Sequence, residues 1–180
     1  LQNEHAIVAN NIALLLMLEY GSDEQKSIWA ETLASGKSFF AFGITEPNHG
    51  SDATHMETLA TRTQDGWLIN GEKTWNSGIH SAPADLIFAR TSGDASDAEG
   101  ITAFLVPTDS PGFKLEELLW TFNMPTDHGR ISLNNVEVPD NAIFGEEGRG
   151  LQVVQHFFNE NSAAGAKILE SKYVFRRFSF

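Results

Sequence analysis

The sequence predicts an α+β chain: two N-terminal helices, a central antiparallel β-barrel-like domain of about eight strands, and a C-terminal helix. Three observations predict it. Apolar residues recur at helical spacing before Gly36. From Phe39 to about Val138, short apolar stretches alternate with clusters of turn residues. Helical spacing then returns after Gly148.

The first helix is carried by HAIVANNIALLLMLEY, which shows no strict alternation. Gly21 is expected to close it as a left-handed cap. Ser22 opens the second helix, three residues before Gln25, the spacing of a reciprocal capping box. That helix runs through EQKSIWAETLAS and stops at Gly36.

The strands expected next are 39–45, 56–63, 67–71, 72–77, 85–91, 101–107, 113–119 and 130–138. Asn70-Gly71 is a hairpin signal, because both central residues of such a turn need positive φ. GDASDAEG (Gly93 to Gly100) is a polar surface loop. In GLQVVQHFFNEN, Leu151, Val154, Phe157 and Phe158 fall on one helical stripe. The expected divisions are 1–36, the end of a helical domain; 37–145, the β domain; and 146–180, the start of a further helical region.

Composition narrows the function. The formal charge of -12, from 24 acidic against 12 basic residues, argues against a nucleic-acid surface and against docking on anionic lipid. With no cysteine, a disulfide scaffold, a thiolate zinc site and a cysteine nucleophile are excluded. The longest apolar run, LLLML, is far short of the roughly 20 residues of a membrane-spanning helix. The chain begins at Leu1 rather than Met, so its natural start is expected to lie upstream.

Two segments can carry chemistry. TEPNHGSD (Thr45 to Asp52) follows the apolar strand FFAFGI. Thr45 and Ser51 offer hydroxyls, and Gly50 lets a ligand approach the main chain. Residues of these types also make an ordinary surface turn. TWNSG (Thr74 to Gly78) sets Trp75 among small hydroxyls, where a planar heteroaromatic ring can stack, although a core tryptophan would read the same way. The histidines lack metal-ligand spacing and read as isolated surface or turn residues. GEEGRG lacks the Lys-Ser/Thr pair of a phosphate loop. No G-x-S-x-G elbow supports a serine hydrolase.

Taken in order, YGSDEQK, LASGK, FGITEPNHGSD, DGWLINGEKTWNSG, DLIFARTS, GITAFLVPTDSPGF, FNMPTDHGRISLNNVEVP and FGEEGRGLQVVQHFFNEN resemble the acyl-CoA dehydrogenase family. The resemblance covers Leu1 to roughly Asn161. It implies FAD as cofactor, an acyl-CoA substrate, a trans-2-enoyl thioester product and electron-transfer flavoprotein as acceptor. It also implies a C-terminal helical bundle beyond this chain, through which the full-length protein forms a homo-oligomer.

Carried over by position, Phe42, Ile44 and Thr45 meet the flavin ring. Gly50 and Ser51 meet FAD phosphate or the acyl-CoA; Trp75 packs on the flavin; Ser77 keeps a hydroxyl where many members have threonine. Ser51 and Asn159 are the expected substrate contacts. No residue is assigned as catalytic base, because Asn161 and Ser162 stand where some members carry glutamate and arginine, although Glu160 is adjacent. The tail from Ser162 departs from the family pattern. The expectation is a chain that is inactive alone and cytoplasmic, or mitochondrial in the matrix. The alternatives are a related flavoprotein oxidase or monooxygenase of the same fold, and a non-catalytic ligand-binding β domain.

Overall fold

The computed structural model describes residues 3–121 and 124–159. Helix α1 spans Asn3–Tyr20 and α2 spans Asp23–Ala34. The capping box forms as predicted: Gln25 N–H donates to Ser22 Oγ at 3.2 Å, and Ser22 N–H donates to Gln25 Oε1 at 3.0 Å. Gln25 Nε2 then donates to the carbonyls of Asn141 and Ile143, tying this helix start to the end of the β region. Gly36 takes φ +67 after α2. Gly21 is not the left-handed cap expected of it. Its N–H bonds the Met17 carbonyl at 3.0 Å, and a Cβ there would stand 2.5 Å from Met17 O and Sδ. Tight approach to the preceding turn, not positive φ, asks for glycine.

Seven strands follow: β1 Phe40–Gly43, β2 Leu59–Arg62, β3 Trp67–Ser77, β4 Ala84–Arg90, β5 Ile101–Pro107, β6 Phe113–Thr121 and β7 Met124–Val138. They form one sheet in the order β1-β4-β2-β3-β7-β6, with β5 paired to β4. The predicted fold class is therefore observed, with seven strands rather than eight. The sheet is mixed, because β1 runs parallel to β4 while most other pairs are antiparallel.

The missing strand has a specific cause. Asn70-Gly71 makes no hairpin; β3 runs straight through it. The ladder to β7 shifts register between Ile69 and Gly71, which marks a bulge. Asn70 Oδ1 accepts from Asn135 N–H at 2.9 Å, so the asparagine bridges strands instead of turning the chain. The hairpin turn joining β2 to β3 lies earlier, closed by Thr63 N–H to Gly66 O at 2.8 Å.

Strands β4 and β5 are buried on both faces. Ala84, Leu86, Phe88, Ile101, Ala103 and Leu105 pack with α1 residues Ile12, Leu16 and Met17 and with Val153 and Val154 of the last helix, α3 (150–159). On the other face Ile87, Ala89, Phe104 and Val106 pack with Trp67, Ile69, Ile131 and Val136 inside the curl of the sheet. On α3 the buried stripe is Val153, Val154 and partly buried Leu151 and Phe157, whereas Phe158 is exposed. Loop 93–100 is exposed up to Gly100, as its polarity predicts. Among the described residues, no helix is long and apolar enough to cross a membrane.

Candidate functional site

Strands β1 and β2 lie along the same neighbour, β4: β1 pairs with Ala84 to Ile87 and β2 reaches Arg90. Residues 44–58, which include TEPNHGSD, are the detour the chain makes between them. Glu46 closes the detour at its base. Its carboxylate accepts from the amides of Glu57 at 2.6 Å and Thr58 at 2.9 Å, and pairs with Lys73 Nζ of β3 at 2.9 Å. Lys73 also donates to the Ile44 carbonyl at 3.4 Å. Both side chains are almost wholly shielded from solvent, at 3% and 0% exposure. A buried charge pair of this kind holds geometry at an energetic cost, because desolvation offsets much of the attraction.

At its outer end the loop is fixed by short contacts. Asp52 Oδ1 accepts from Thr54 N–H and Oγ1, and Asp52 Oδ2 lies 2.6 Å from His55 Nδ1. His49 pairs with Glu57 at 3.2 Å and stacks on His55 with ring centroids 5.7 Å apart. These two histidines are therefore partnered rather than isolated. The buried Arg90 guanidinium donates to the Thr54, Ser92, Asp97 and Glu99 carbonyls, joining this loop to loop 93–100.

The end of β3 runs beside the start of the detour, where Thr74 N–H donates to Thr45 O at 2.9 Å. The β3–β7 ladder breaks register again between Lys73 and Asn76. Inside this bulge Trp75 takes φ +64 with half its surface exposed (49%). A bulky residue in that region is strained and persists only where its surroundings fix it. The neighbours supply the fixation. Lys73 is held by Glu46, Thr74 by Thr45, and buried Asn76 donates from Nδ2 to Asp85 Oδ2. Two residues on, Ser77 Oγ lies 2.8 Å from His128 Nδ1 on β7, and the Trp75 ring meets His128 edge-on at 6.2 Å.

Burial is the largest single influence on each of these groups. It pushes the Asp85 carboxyl up to about 7, against the Asn76 hydrogen bond and the Lys73 charge. It pushes the Lys73 ammonium down to about 8, although Glu46 pulls the other way. Burial acts to raise Glu46 too, but the Lys73 charge and the hydrogen bonds from Lys73, Thr58 and Glu57 hold it below its ordinary value.

The structure brings some predicted residues together and spreads others. Thr45, Trp75 and Ser77 gather at the adjoining ends of β1 and β3. Phe42 and Ile44 are half-buried against the helix-side core, and Phe42 packs on Phe157 of α3 with centroids 4.4 Å apart. Gly50 and Ser51 are exposed, and a Cβ at Gly50 would meet nothing within 4 Å. Asn159 is exposed at the end of the described α3, where its side chain accepts from Gln155 at 3.0 Å. Glu160, Asn161 and Ser162 lie outside the described residues. Sequence reasoning did not find Glu46, Lys73, Asn76, Asp85 or His128. A lysine and an asparagine at inward positions of β3 were a usable signal; the link between Ser77 and His128 had none.

Relatives share this fold. The model of the acyl-CoA dehydrogenase middle domain matches residues 41–136. The human mitochondrial short-chain specific acyl-CoA dehydrogenase is 35% identical over 149 residues, which are 81% of this chain and 35% of that protein. The structure of a glutaryl-coenzyme A dehydrogenase in complex with glutaryl-CoA is similar with a TM-score of 0.80 and 32% identity, covering 90% of this chain and 42% of that one. The FAD complex of PigA is similar with a TM-score of 0.78 and 27% identity, over 92% and 46% of the two chains. The chain thus spans between 35% and 46% of the length of these relatives. With a family model over more than half of its residues and a shared fold beyond it, the chain belongs to the acyl-CoA dehydrogenase family.

Proposed function

We propose that this chain forms the flavin-facing wall of an FAD-dependent acyl-CoA dehydrogenase that converts an acyl-CoA thioester to the trans-2-enoyl thioester, with electron-transfer flavoprotein as acceptor. The observation that carries the reading is Trp75: a large aromatic face, half exposed and locked at φ +64 between two anchored neighbours. The donor set fits a planar, polar-edged cofactor. Thr45 and Ser77 carry hydroxyls at the same strand ends as Trp75, and the open approach at Gly50 and Ser51 suits a phosphate or the acyl-CoA. When bound, FAD supplies the hydride acceptor. Trp75 would hold one face of its ring, Thr45 and Ser77 would hydrogen-bond its edge, and Phe42 and Ile44 would supply apolar contact.

Ser51 and Asn159 are proposed as substrate contacts. Removal of the α proton needs a base within about 3 Å of it. This reading assigns no residue of the chain to that role and leaves it to the part of the protein that the relatives have beyond this span. Residues 1–36, 37–145 and 146–180 are read as parts of a helical domain, a β domain and a second helical region. A homo-oligomer and a cytoplasmic or mitochondrial-matrix location belong to the same proposal.

An FAD titration of the 180-residue chain, followed by the visible flavin spectrum, tests it. Binding should perturb the spectrum, and Trp75→Ala should weaken it by about tenfold, the worth of one good aromatic stack. A chain that leaves the FAD spectrum unchanged, or a Trp75→Ala variant that binds as the parent does, sinks the reading.

A further inference from the structure

We infer that His128 is a positioning residue that decides whether the Ser77 hydroxyl faces the cofactor as donor or as acceptor. The inference rests on the reading above, in which Ser77 touches the flavin edge. Ser77 and His128 are direct partners in the β3–β7 register, so the backbone sets their pairing. The adjoining bond from Gly78 N–H to Asp127 O, at 2.8 Å, holds the two strands together at this point. Ser77 Oγ stands 2.8 Å from His128 Nδ1, and the Trp75 and His128 rings meet in a T-shaped arrangement with centroids 6.2 Å apart.

A serine hydroxyl has one proton to give. When His128 Nδ1 is bare, it accepts that proton, and Ser77 turns only lone pairs outward. When the ring is protonated, Nδ1 donates to Ser77, and the hydroxyl proton is free to point at the ligand. The His128 side chain is 31% exposed, so protons reach it from water. Asp127 Oδ1 stands 3.7 Å from Nδ1 on the same strand. On β3 the facing groups are the uncharged Trp75 and Ser77. The nearby Glu72 of β3 and Glu117 of β6 are engaged by Arg130. Protonation of His128 thus commits Ser77 to donating outward, which an electron-rich flavin edge prefers.

The test is an FAD titration of the 180-residue chain between about pH 5 and pH 8, where a histidine changes charge. The chain is compared with His128→Asn, Ser77→Ala and Trp75→Ala. The parent should bind FAD about tenfold more tightly at the acid end, the scale of one charge-assisted hydrogen bond. Part of any such slope can come from His49 and His55 in the loop, so the difference between parent and variant is what decides. His128→Asn keeps a neutral side-chain donor and should bind with a flatter slope and an affinity between the parent's two limits. Ser77→Ala should show the same flattened slope. Circular dichroism of each variant checks that it folds. A His128→Asn slope equal to the parent's, while Trp75→Ala still weakens binding, overturns the inference and leaves the flavin-wall reading standing. If Trp75→Ala binds FAD as the parent does, that reading fails and takes this inference with it.

Discussion

Trp75 adopts a backbone conformation that tryptophan does not favour, and its anchored neighbours hold it there. Left-handed φ costs an L-residue roughly 1–2 kcal/mol, a cost that glycine escapes. Trp75→Gly should therefore be more stable than Trp75→Ala by about 1 kcal/mol in urea denaturation, the reverse of the usual order in a strand. Alanine the more stable of the two would mean that the bulge relaxes and Trp75 is unstrained. Beneath it, Asp85 makes a pH prediction. Its folded value of about 7 stands above the ordinary 3.8, so between those values the folded protein holds more protons than the unfolded chain. The Asp85 contribution is thus most favourable below about 4 and worsens as pH rises through about 7, with a slope of at most about 1.4 kcal/mol per pH unit. Glu46 acts oppositely: its lowered value contributes stability above the ordinary range, lost as pH falls. Asp85→Asn should remove the first component and leave the second. Measured stabilities that fall equally steeply between about pH 4 and pH 7 in parent and variant would refute the assignment.

The elements legible in the sequence are those whose signals are local. The Ser22–Gln25 box, the stop at Gly36 and the loop at 93–100 each depend on neighbours within a few residues. Asn70-Gly71 departs from its expected hairpin for the same reason. Its local preference is for a turn, but β3 pairs with β7 on both sides of it, and the long ladder overrides the dipeptide. Glu46, Lys73 and Asp85 meet from three elements, so no spacing reveals them. Thr45, Trp75 and Ser77 were readable as a group only through a family resemblance. The true reason for Gly71 is packing: a Cβ there would stand 2.7 Å from Thr58 Cα and Cβ, at φ +155. Gly71→Ala should cost about 1–3 kcal/mol, as overpacking does. Thr58→Ala should not rescue it, because the Thr58 Cα remains in the way. Full rescue would show that the side chain alone makes the contact.

At the scale of the whole molecule, β4 and β5 are what make one body of two cores. Alternate residues of each strand face the helices and the inside of the sheet, and nearly every position is buried. Loss of either core therefore removes one wall of the other, and the described region should unfold in a single transition. Two tryptophans lie on opposite sides. Trp67 packs edge-on against Phe104 in the inner core, with ring centroids 5.7 Å apart, and Trp29 packs against the helix-side core. Phe104→Ala should cost about 3–5 kcal/mol, the range for deleting a buried phenylalanine ring. Because β5 carries the strain to both faces, the helix-side core should melt with the inner one. Single-tryptophan variants that retain Trp29 or Trp67 report each core by fluorescence, and circular dichroism reports the helices. Coincident curves in the Phe104→Ala background are the expected result. If the Trp67 signal is lost at lower urea while Trp29 and the helices persist, the β4–β5 pair separates the two cores instead of coupling them.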